Sequence, residues 1–417
     1  MLGVLLDSAG ISVRPQVRAA AERAASWLER RDPRTTAVRG RVLRAFLEEG
    51  IAEHDLAGTT GYGYDDPARE RYESLLARVF RAERVLARLS IVSGTHAIVA
   101  GLDALLPGDA TLLAANGAPY DTLRHAIVSA PYALVERGVR YAEVPRTPDG
   151  DTDLEQLGDA LLAHRPAVVF VQRSRGYAVR RSLSIEAIGA IVGVVRARQP
   201  AAIVFVDNCY GELVEEREPL EAGADLIAGS LIKNIGGGLA PAGAYLAGRA
   251  ALLDRIAARV FAPGIGAGLG PTLGFGRALV QGLFYAPLVV AETLRGLDFT
   301  AALFAELGFA VDPAPGDCRC DIVQSIRLGT PERLIAFARG LQRAMPVNAR
   351  FAPEPGAVPG YVDPVIMSSG SFVSGATIEL SCDAPLRPPY EVYLQGGVTA
   401  EHTALGAVLA ADAVYSG

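Results

Sequence analysis

The sequence offers one amine that could form a covalent bond with a carbonyl compound. Lys233 is the only lysine among 417 residues, and since lysine and arginine together number 40, the other 39 (40 minus 1) are arginines. Arginine stays protonated and is a poor nucleophile, whereas a deprotonated lysine amine can condense with a carbonyl group. Lys233 is therefore the first candidate for covalent chemistry. The alternative is a surface lysine left over in an arginine-rich chain.

The segment SGTHA offers a place where a phosphate group could bind. Apolar spacing predicts a helix over residues 95–106 that opens on Gly94 and Thr95. The first backbone N–H groups of a helix have no partner inside it and face the positive end of its dipole, so they favour anions. The alternative is an ordinary Ser or Thr cap without a ligand.

Further polar side chains follow predicted strands. Asp207 ends an apolar stretch at 202–207, Ser174 comes shortly after another such stretch, and Ser230 stands three residues before Lys233. In open parallel sheets, ligands bind at the carboxyl ends of the strands. We therefore expect an acid, hydroxyl groups and the lysine to lie on neighbouring crossovers. For Asp207, a buried structural carboxylate is the alternative.

The elements that must position these residues alternate between strands and helices along the chain. Short apolar strands separated by helices of about 10–15 residues are typical of a largely parallel sheet that is covered on both faces. The sequence therefore predicts an α/β fold. The predicted strands are 110–115, 141–144, 167–172 and 202–207, and the predicted helices include 154–163, 185–198 and 277–297.

The two ends of the chain differ from this middle part. Helical spacing over residues 16–52, broken at Asp32-Pro33, predicts two amphipathic helices in an N-terminal arm of residues 1–60. A large domain is predicted for residues 61–290, and a change of composition near 290–310 predicts a small domain over residues 291–417. The elements predicted in the small domain are a helix at 331–344 and strands at 322–327 and 376–380.

Composition narrows the classes of function. A net charge of −6 and a pI near 5.6 leave no basic footprint for nucleic acid. The uncharged runs are short or broken, and the first residues lack the basic leader and apolar core of a signal peptide, so we expect no membrane partner and a cytoplasmic protein. The four cysteines include one C-x-C pair but no cluster that would complete a metal site.

Several phrases, in their order along residues 40–415, resemble the pyridoxal-phosphate enzymes of fold type I. The resemblance is to the methionine gamma-lyase-like branch known as aluminium-resistance proteins, which are relatives of the cystathionine lyases. It implies a mostly parallel, seven-stranded sheet in the large domain, a smaller α+β C-terminal domain, and a homodimer or homotetramer with sites at the subunit interface. The phrases are TGYGYDD, SGTHA, QRSRGY, VDNCYGE, GSLIKNIGGGLAPAGAYLAGR, APGIG, and DPVIM followed by RPPY.

The resemblance also implies roles for individual residues. Lys233 would form the aldimine with pyridoxal 5'-phosphate, and Asp207 would keep the pyridinium nitrogen protonated. The cofactor's phosphate would be held by Gly94, Thr95 and Ser230.

Aromatic and hydroxyl side chains complete the implied cofactor site. Tyr120 would stack on the cofactor and stand near the leaving group. Tyr62 and Tyr64 would reach the phosphate of the partner subunit, and Ser174 would approach the cofactor's phenolic oxygen or the lysine.

The substrate carboxylate is expected to need an arginine. The stretch ATIELS, where relatives of this fold often carry one, has none, so Arg387 is the first candidate and Arg173 the second. Ile235 stands where the branch usually has proline, and Pro67 changes the usual continuation of GYGYDD, so the substrate pocket is expected to differ from that of the branch.

The resulting prediction is a lyase that eliminates a thiolate or a halide from Cγ or Cβ of a small amino-acid substrate. Aminotransfer or decarboxylation on the same fold, and a γ-elimination that gives an unsaturated amino acid, are the alternatives. A non-catalytic binding protein is disfavoured because Lys233, Asp207 and Ser230 are all present.

Overall fold

A computed structural model describes residues 2–261 and 264–415. Within these ranges, seven strands form a large sheet in the order β1-β7-β6-β5-β4-β2-β3. Strands β3, β2, β4, β5 and β6 run parallel, and β7 is antiparallel to both of its neighbours. The strands are β1 (Arg84–Arg88), β2 (Thr111–Ala114), β3 (Arg140–Glu143), β4 (Val168–Gln172), β5 (Ile203–Asp207), β6 (Leu226–Ser230) and β7 (Ala244–Gly248).

Alternating side chains of the central strands sort into two apolar layers. Phe170 and Phe205 pack edge to face on one side of the sheet, with their ring centroids 5.9 Å apart, while Val169 and Val204 enter the core on the other side. Helices cover both layers, so the strands read as nearly continuous apolar runs. These helices are α4 (Pro67–Phe80), α5 (Gly94–Leu105), α6 (Asp121–Val128), α7 (Leu154–His164), α8 (Ile185–Arg198) and α9 (Ala250–Val260).

A smaller antiparallel sheet follows in the chain, in the order β10-β11-β12-β9-β8. The predicted α/β fold with a large, mostly parallel sheet and a smaller C-terminal unit is therefore confirmed. The strands are β8 (Ala310–Asp312), β9 (Val323–Arg327), β10 (Val365–Ser369), β11 (Ser381–Pro385) and β12 (Glu391–Gln395), with α11 (Pro331–Gln342) and α12 (Ala400–Val414) packed against each other.

One predicted strand of the small domain is wrong. Residues 376–380 contain a 3₁₀ turn at Thr377–Glu379, and the strand begins only at Ser381. The Glu379 carboxylate accepts hydrogen bonds from the backbone N–H groups of Phe372 and Val373, at 2.7 and 3.2 Å, so this stretch closes a turn and does not join the sheet. Its apolar spacing alone resembled a strand.

Helix α10 (Gly276–Glu306) connects the two sheets and is 31 residues long. Residue 290, where composition placed a domain boundary, lies inside it. Near its start the backbone packs directly on the turn after Lys233, since a Cβ built on Gly282 would lie 2.3 Å from the carbonyl oxygen of Gly236. Further along, the Thr293 hydroxyl donates to the Gly397 carbonyl at 2.9 Å, beyond β12.

The N-terminal segment packs on this long helix. As predicted, two amphipathic helices flank the turn at Asp32-Pro33: α2 (Pro15–Ala24) and α3 (Arg34–Glu49), after the short α1 (Leu2–Ser8). In the described residues no helix combines the length and the apolar character that crossing a bilayer requires. The phrase APGIG includes Ala262 and Pro263, which lie outside the described residues.

Candidate active site

The carboxyl ends of β4, β5 and β6 open onto a cavity of about 320 Å³, called the active cavity below. It lies where a parallel sheet normally binds its ligand. Seven of the residues singled out from the sequence line this one cavity: Gly94, Thr95, Tyr120, Ser174, Asp207, Ser230 and Lys233.

Lys233 lies half-buried in the turn after β6, with its amine over an aromatic ring. Its Nζ is 3.8 Å from the centroid of the Tyr210 ring, a distance at which the ring face attracts an ammonium group. Burial works to lower the pKa of Lys233, but Tyr210, Cys209 and Asp207 together outweigh it and raise that pKa. In the cofactor-free protein, the Lys233 amine is therefore protonated.

The next residue fixes the backbone of this turn. Asn234 is fully buried, and its amide Nδ2 donates to the carbonyl oxygens of Tyr210, at 3.0 Å, and Glu212, at 2.8 Å. Tyr210 itself has φ +71°, a conformation that costs a bulky residue about 1–3 kcal/mol unless its surroundings enforce it. The strained Tyr210 backbone and the lysine turn are thus tied together.

Asp207 ends β5 at the base of the cavity. Its side chain is buried and accepts the backbone N–H of Cys209 at 3.1 Å. Burial raises the pKa of Asp207, while the Cys209 N–H and the positive charges of Lys233 and Arg180 oppose that rise. A buried carboxylate with little hydrogen bonding favours a cationic partner, as a protonated ring nitrogen would be.

Helix α5 begins at the wall of the cavity beside the ends of β5 and β6. Ser93 caps it by accepting the backbone N–H of His96 at 3.1 Å, and Gly94 and Thr95 occupy the first helical turn. A Cβ built on Gly94 would lie 3.0 Å from the Cys209 sulfur and 3.5 Å from the backbone nitrogen of Ser230. Glycine therefore keeps open a narrow cradle in which the helix N-terminus faces Ser230.

Tyr120 is fixed by both its backbone and its hydroxyl group. Its N–H donates to the Gln172 side chain at 2.9 Å, and its phenol shares a hydrogen bond of 2.7 Å with the Thr95 hydroxyl. Burial first, and then the charge of Asp207, raise the pKa of Tyr120 well above its usual value. The phenol consequently carries its proton at neutral pH.

Ser174 reaches the cavity wall but donates its hydroxyl elsewhere. Its Oγ is 2.6 Å from Oδ2 of Asp321, a buried acid that precedes β9 of the small sheet. Ser174 therefore joins the active cavity to the small sheet. A cofactor oxygen would have to compete with Asp321 for this hydroxyl.

The structure does not bring Arg173 to the active cavity. Its guanidinium is fully buried, and it pairs with Glu215 at 2.7 Å and Glu218 at 3.5 Å and donates to Asn208 at 2.7 Å. These partners hold Arg173 behind β4. Arg173 is therefore not among the residues that line the active cavity, and its expected contact with the substrate carboxylate is not supported by this geometry.

Arg387 also lies outside the active cavity. It lines a neighbouring cavity of about 160 Å³, which shares Tyr177 with the active cavity. Arg387 donates to the Tyr177 carbonyl at 3.0 Å and pairs with Asp363 and Asp121 at 3.4 and 3.5 Å. Its charge is thus partly neutralised, and Tyr177 stands between it and the site.

Arg180 is a buried arginine that the sequence alone did not single out. Its hydrogen bonds within the described residues all go to backbone carbonyls, those of Arg175, Ser174 and Asn116, at 2.9, 3.0 and 3.4 Å. Burial is the main reason that its pKa falls to about 9. A Cβ built on Gly176, which lines the active cavity, would lie 4.0 Å from Nη2 of Arg180.

Tyr62 and Tyr64 do not line the active cavity of their own chain. Their side chains are 76% and 54% exposed. The loop that carries them is nevertheless well held, because the Asp66 carboxylate accepts from the N–H groups of Thr59 and Thr272, both at 2.8 Å. The tyrosines are therefore presented outward on a fixed loop.

Eleven of the eighteen residues that line the active cavity were given no role from the sequence. Among them are three tyrosines and a glutamine, and three of these four lie within phrases already noted. Tyr210 belongs to VDNCYGE, and Gln172 and Tyr177 belong to QRSRGY. Gln172 ends a predicted strand, and its position at a strand end could have indicated that it lies at the site. Tyr361 had no such signal, because only the folding of the small domain brings it to the site.

No group of three or more His, Cys, Asp or Glu side chains in the part of the chain that the structure describes is arranged to hold a metal ion. The polar groups that line the active cavity are an amine, a carboxylate, a thiol, an amide, phenols and hydroxyls.

Known proteins resemble this chain along most of its length. It matches the methionine gamma-lyase family over residues 13–415. It is 44% identical over 367 residues to the protein YnbB of Bacillus subtilis strain 168, a match that covers 87% of each chain. A solved structure described as a carbon-sulfur lyase involved in aluminium resistance, from Clostridium novyi NT, is 40% identical, with a TM-score of 0.90 and 96% of each chain covered. The pyridoxal-5'-phosphate-dependent protein YhfS of Escherichia coli shares the fold at 18% identity and a TM-score of 0.62, with 92% of this chain and 96% of that chain covered.

Proposed function

The chain belongs to the methionine gamma-lyase family, whose members are pyridoxal-phosphate-dependent carbon–sulfur lyases, and we propose that it eliminates a thiolate or a halide from Cγ or Cβ of an amino acid. One observation carries the proposal. The only lysine of the chain, a buried acid, a helix N-terminus and a phenol all line the same 320 Å³ cavity.

The residues of the active cavity fit pyridoxal phosphate. The cradle at Gly94, which a Cβ would fill, and the Ser230 hydroxyl would hold the phosphate, Asp207 would face the ring nitrogen, and Tyr120 would cover the ring. When bound, the cofactor supplies an electron sink that stabilises negative charge at Cα of the substrate.

Two side chains of the cavity would handle protons. Lys233 would take the proton from Cα and, for a γ-elimination, from Cβ, and the Tyr210 ring would hold the amine once it is protonated. Tyr120 keeps its proton at neutral pH, so its phenol would hold that proton in a hydrogen bond to the departing thiolate; because burial raises its pKa, it would not transfer the proton outright. With water, the products would be a thiol, a 2-oxo acid and ammonia.

A panel of amino acids substituted at Cγ or Cβ tests this function. The protein, loaded with pyridoxal phosphate, should release thiol or halide together with ammonia and a 2-oxo acid, with no 2-oxo acid added. An absolute need for a 2-oxo acid would instead indicate an aminotransferase, and carbon dioxide release a decarboxylase. Halide release without ammonia would indicate an unsaturated amino-acid product.

Tyr210 is expected to act through its ring. Tyr210→Phe keeps the aromatic face under the amine and should retain most activity, whereas Tyr210→Leu should lower kcat roughly 3- to 30-fold, because a cation–π contact is worth about 0.5–2 kcal/mol. Because the chain has a single lysine, the pKa of its amine can be measured directly. Labelled lysine should give one side-chain NMR signal in the cofactor-free protein, and its pKa should fall further in Tyr210→Leu than in Tyr210→Phe, which loses the hydroxyl but keeps the ring. Equal effects of the two substitutions would contradict a role for the ring.

Arg180 is the residue proposed to bind the substrate carboxylate. It is buried beside the cavity, and its hydrogen bonds go to uncharged carbonyl oxygens, so its positive charge is not neutralised. The charge of Arg387, by contrast, is already paired with two acids. Arg180→Gln should raise KM roughly 10- to 100-fold, because a hydrogen bond to a charged group contributes about 1.5–3 kcal/mol. Arg387→Gln should change KM less than about threefold. Binding of an amine analogue without a carboxylate should be the same in both variants. The opposite ranking would return the role to Arg387.

A second copy of the chain is proposed to complete the site. Exposed apolar side chains on α3 and α10, among them Leu47 and Leu288, lie uncovered, and the Tyr62 and Tyr64 loop presents outward. Sedimentation should give at least twice the 43.8 kDa of one chain. The double variant Leu47→Arg with Leu288→Arg should weaken both the association of the subunits and the affinity for the cofactor. The control Leu162→Arg changes an exposed leucine of α7 and should weaken neither. A fully active monomer would end this part of the proposal.

A further inference from the structure

A second cavity, larger than the active cavity, lies among the N-terminal segment, α10 and the loop before β9. It encloses about 480 Å³ and shares none of its lining residues with the active cavity. Its walls are the turn at 30–33, the first turns of α3, the middle of α10 and residues 316–319. We call it the arginine cavity.

The lining of the arginine cavity is positively charged although the chain as a whole is acidic. Six arginines and four acids contribute to it, so the lining carries 6 − 4 = +2, against −6 for the chain. Such a concentration of guanidinium groups favours an anionic ligand. The arginines are Arg30, Arg31, Arg34, Arg39, Arg295 and Arg319.

Internal ion pairs account for half of these arginines. Arg34 pairs with Asp32 at 2.5 Å, Arg295 with Glu292 at 2.9 Å, and Arg319 with Asp298 at 2.6 Å. Arg30 stacks on Trp27, with its guanidinium carbon 4.1 Å from the ring centroid. For Arg31 and Arg39, no carboxylate of the described residues lies within ion-pair distance.

Several guanidinium nitrogens around the cavity lack an acceptor. Among the described residues, nothing accepts from Nη1 of Arg319, which is 3% exposed, or from Nε of Arg39 and of Arg295. A buried donor without a partner costs about 1–3 kcal/mol. Thr35 and Thr36, in the first turn of the 16-residue helix α3, add the positive end of a helix dipole to the same wall.

We propose that the arginine cavity binds a phosphate group, either as inorganic phosphate or as the phosphate of a small ester. A phosphate oxyanion offers several acceptors and up to two negative charges, which match the surplus of +2 and the forked donors of arginine. The volume admits more than a lone phosphate, and Trp27 provides an apolar wall for the rest of an ester. Binding at this site does not require that the proposed elimination takes place.

A ligand in the arginine cavity would affect the active cavity through the loop before β9. Arg34 donates to the Arg319 carbonyl at 3.4 Å, so the N-terminal segment already contacts the loop before β9. Two residues further on, Asp321 accepts the hydroxyl of Ser174, which lines the active cavity. A phosphate held between α3 and this loop would fix the segment that carries Asp321.

Calorimetric titration of the pyridoxal-phosphate-loaded protein with inorganic phosphate and, separately, with glycerol phosphate tests the proposal. The loaded protein is used because the cofactor already fills its own phosphate site. Arg31→Gln with Arg39→Gln should weaken binding at least roughly tenfold. Arg44→Gln, on α3 but outside the cavity and paired with Glu48, should leave it unchanged.

The titrations distinguish an ester ligand, free phosphate and the absence of binding. Tighter binding of the ester than of phosphate would identify an ester as the ligand, and equal binding would identify free phosphate. No heat with either compound, or equal affinity in the double variant and in Arg44→Gln, would overturn the proposal. Unfolding temperatures of the variants should agree, so that lost binding reports the site and not the fold. None of these measurements requires turnover, so they stand or fall apart from the lyase activity.

Discussion

Lys233→Arg is expected to abolish turnover, with kcat reduced by at least about 10³-fold, while the protein remains folded. The substitution preserves the positive charge over the Tyr210 ring, since a guanidinium also binds an aromatic face. It removes the amine that can bond to the cofactor and accept a proton from the substrate. Charge alone therefore cannot rescue function at this position.

The measurement uses both activity and the covalent state of the protein. Wild-type protein loaded with the cofactor should show a visible absorption band, and borohydride reduction followed by peptide mapping should place the label on Lys233. Lys233→Arg should give no label. Arg249→Lys, at the surface end of β7, is a matched control that adds a lysine without adding a second label. Residual turnover above about 1% in Lys233→Arg would refute covalent catalysis here.

Asp207→Asn is expected to reduce kcat by about 10²- to 10⁴-fold, because removing one partner of a buried ion pair costs about 3–5 kcal/mol. The amide has nearly the same shape and its oxygen can still accept the N–H of Cys209, so the fold should persist. Only the negative charge that would face the ring nitrogen of the bound cofactor is lost. The absorption spectrum of the bound cofactor should change with activity.

The control for this experiment is another buried acid of the same sheet. Asp225 stands before β6, at the opposite end of the strands, and pairs with Arg196 at 2.5 Å and Arg249 at 3.3 Å. Asp225→Asn should lower the unfolding temperature and leave kcat and the cofactor spectrum nearly unchanged. If the two variants lose activity equally, a specific role for Asp207 is refuted.

Much of the fold could be predicted because its signals are local. Strands that are buried on both faces read as apolar runs, and the helices between them repeat at 3.6 residues. Asp207 and Lys233 could be assigned to one site by the same means, since the ends of neighbouring parallel strands meet at one edge. The 3₁₀ turn at Thr377–Glu379 was mistaken for a strand because its side-chain hydrogen bonds are invisible in the apolar pattern.

The roles of the arginines could not be predicted from local sequence patterns. Arg173 and Arg180 are close in sequence and identical in type, yet one faces Glu215 and Glu218 and the other faces carbonyl oxygens. Those acids lie more than forty residues further along the chain. Which arginine is neutralised is settled by tertiary packing, so the sequence alone could not rank them. The same holds for the arginine cavity, whose walls come from three distant segments.

The continuity of α10 decides where the small sheet can move. At one end the helix is wedged against the turn after Lys233, with no room for a Cβ at Gly282, and from Thr293 onward it packs with the small unit. Pro287 lies inside the helix and has no N–H to donate to the preceding turn, so any bend of α10 is expected in that turn. Since one half of the helix packs against the lysine turn and the other half against the small unit, a bend there would tilt the two sheets relative to each other. We therefore expect Pro287→Ala to stiffen the connection between the sheets without altering a residue that lines the active cavity.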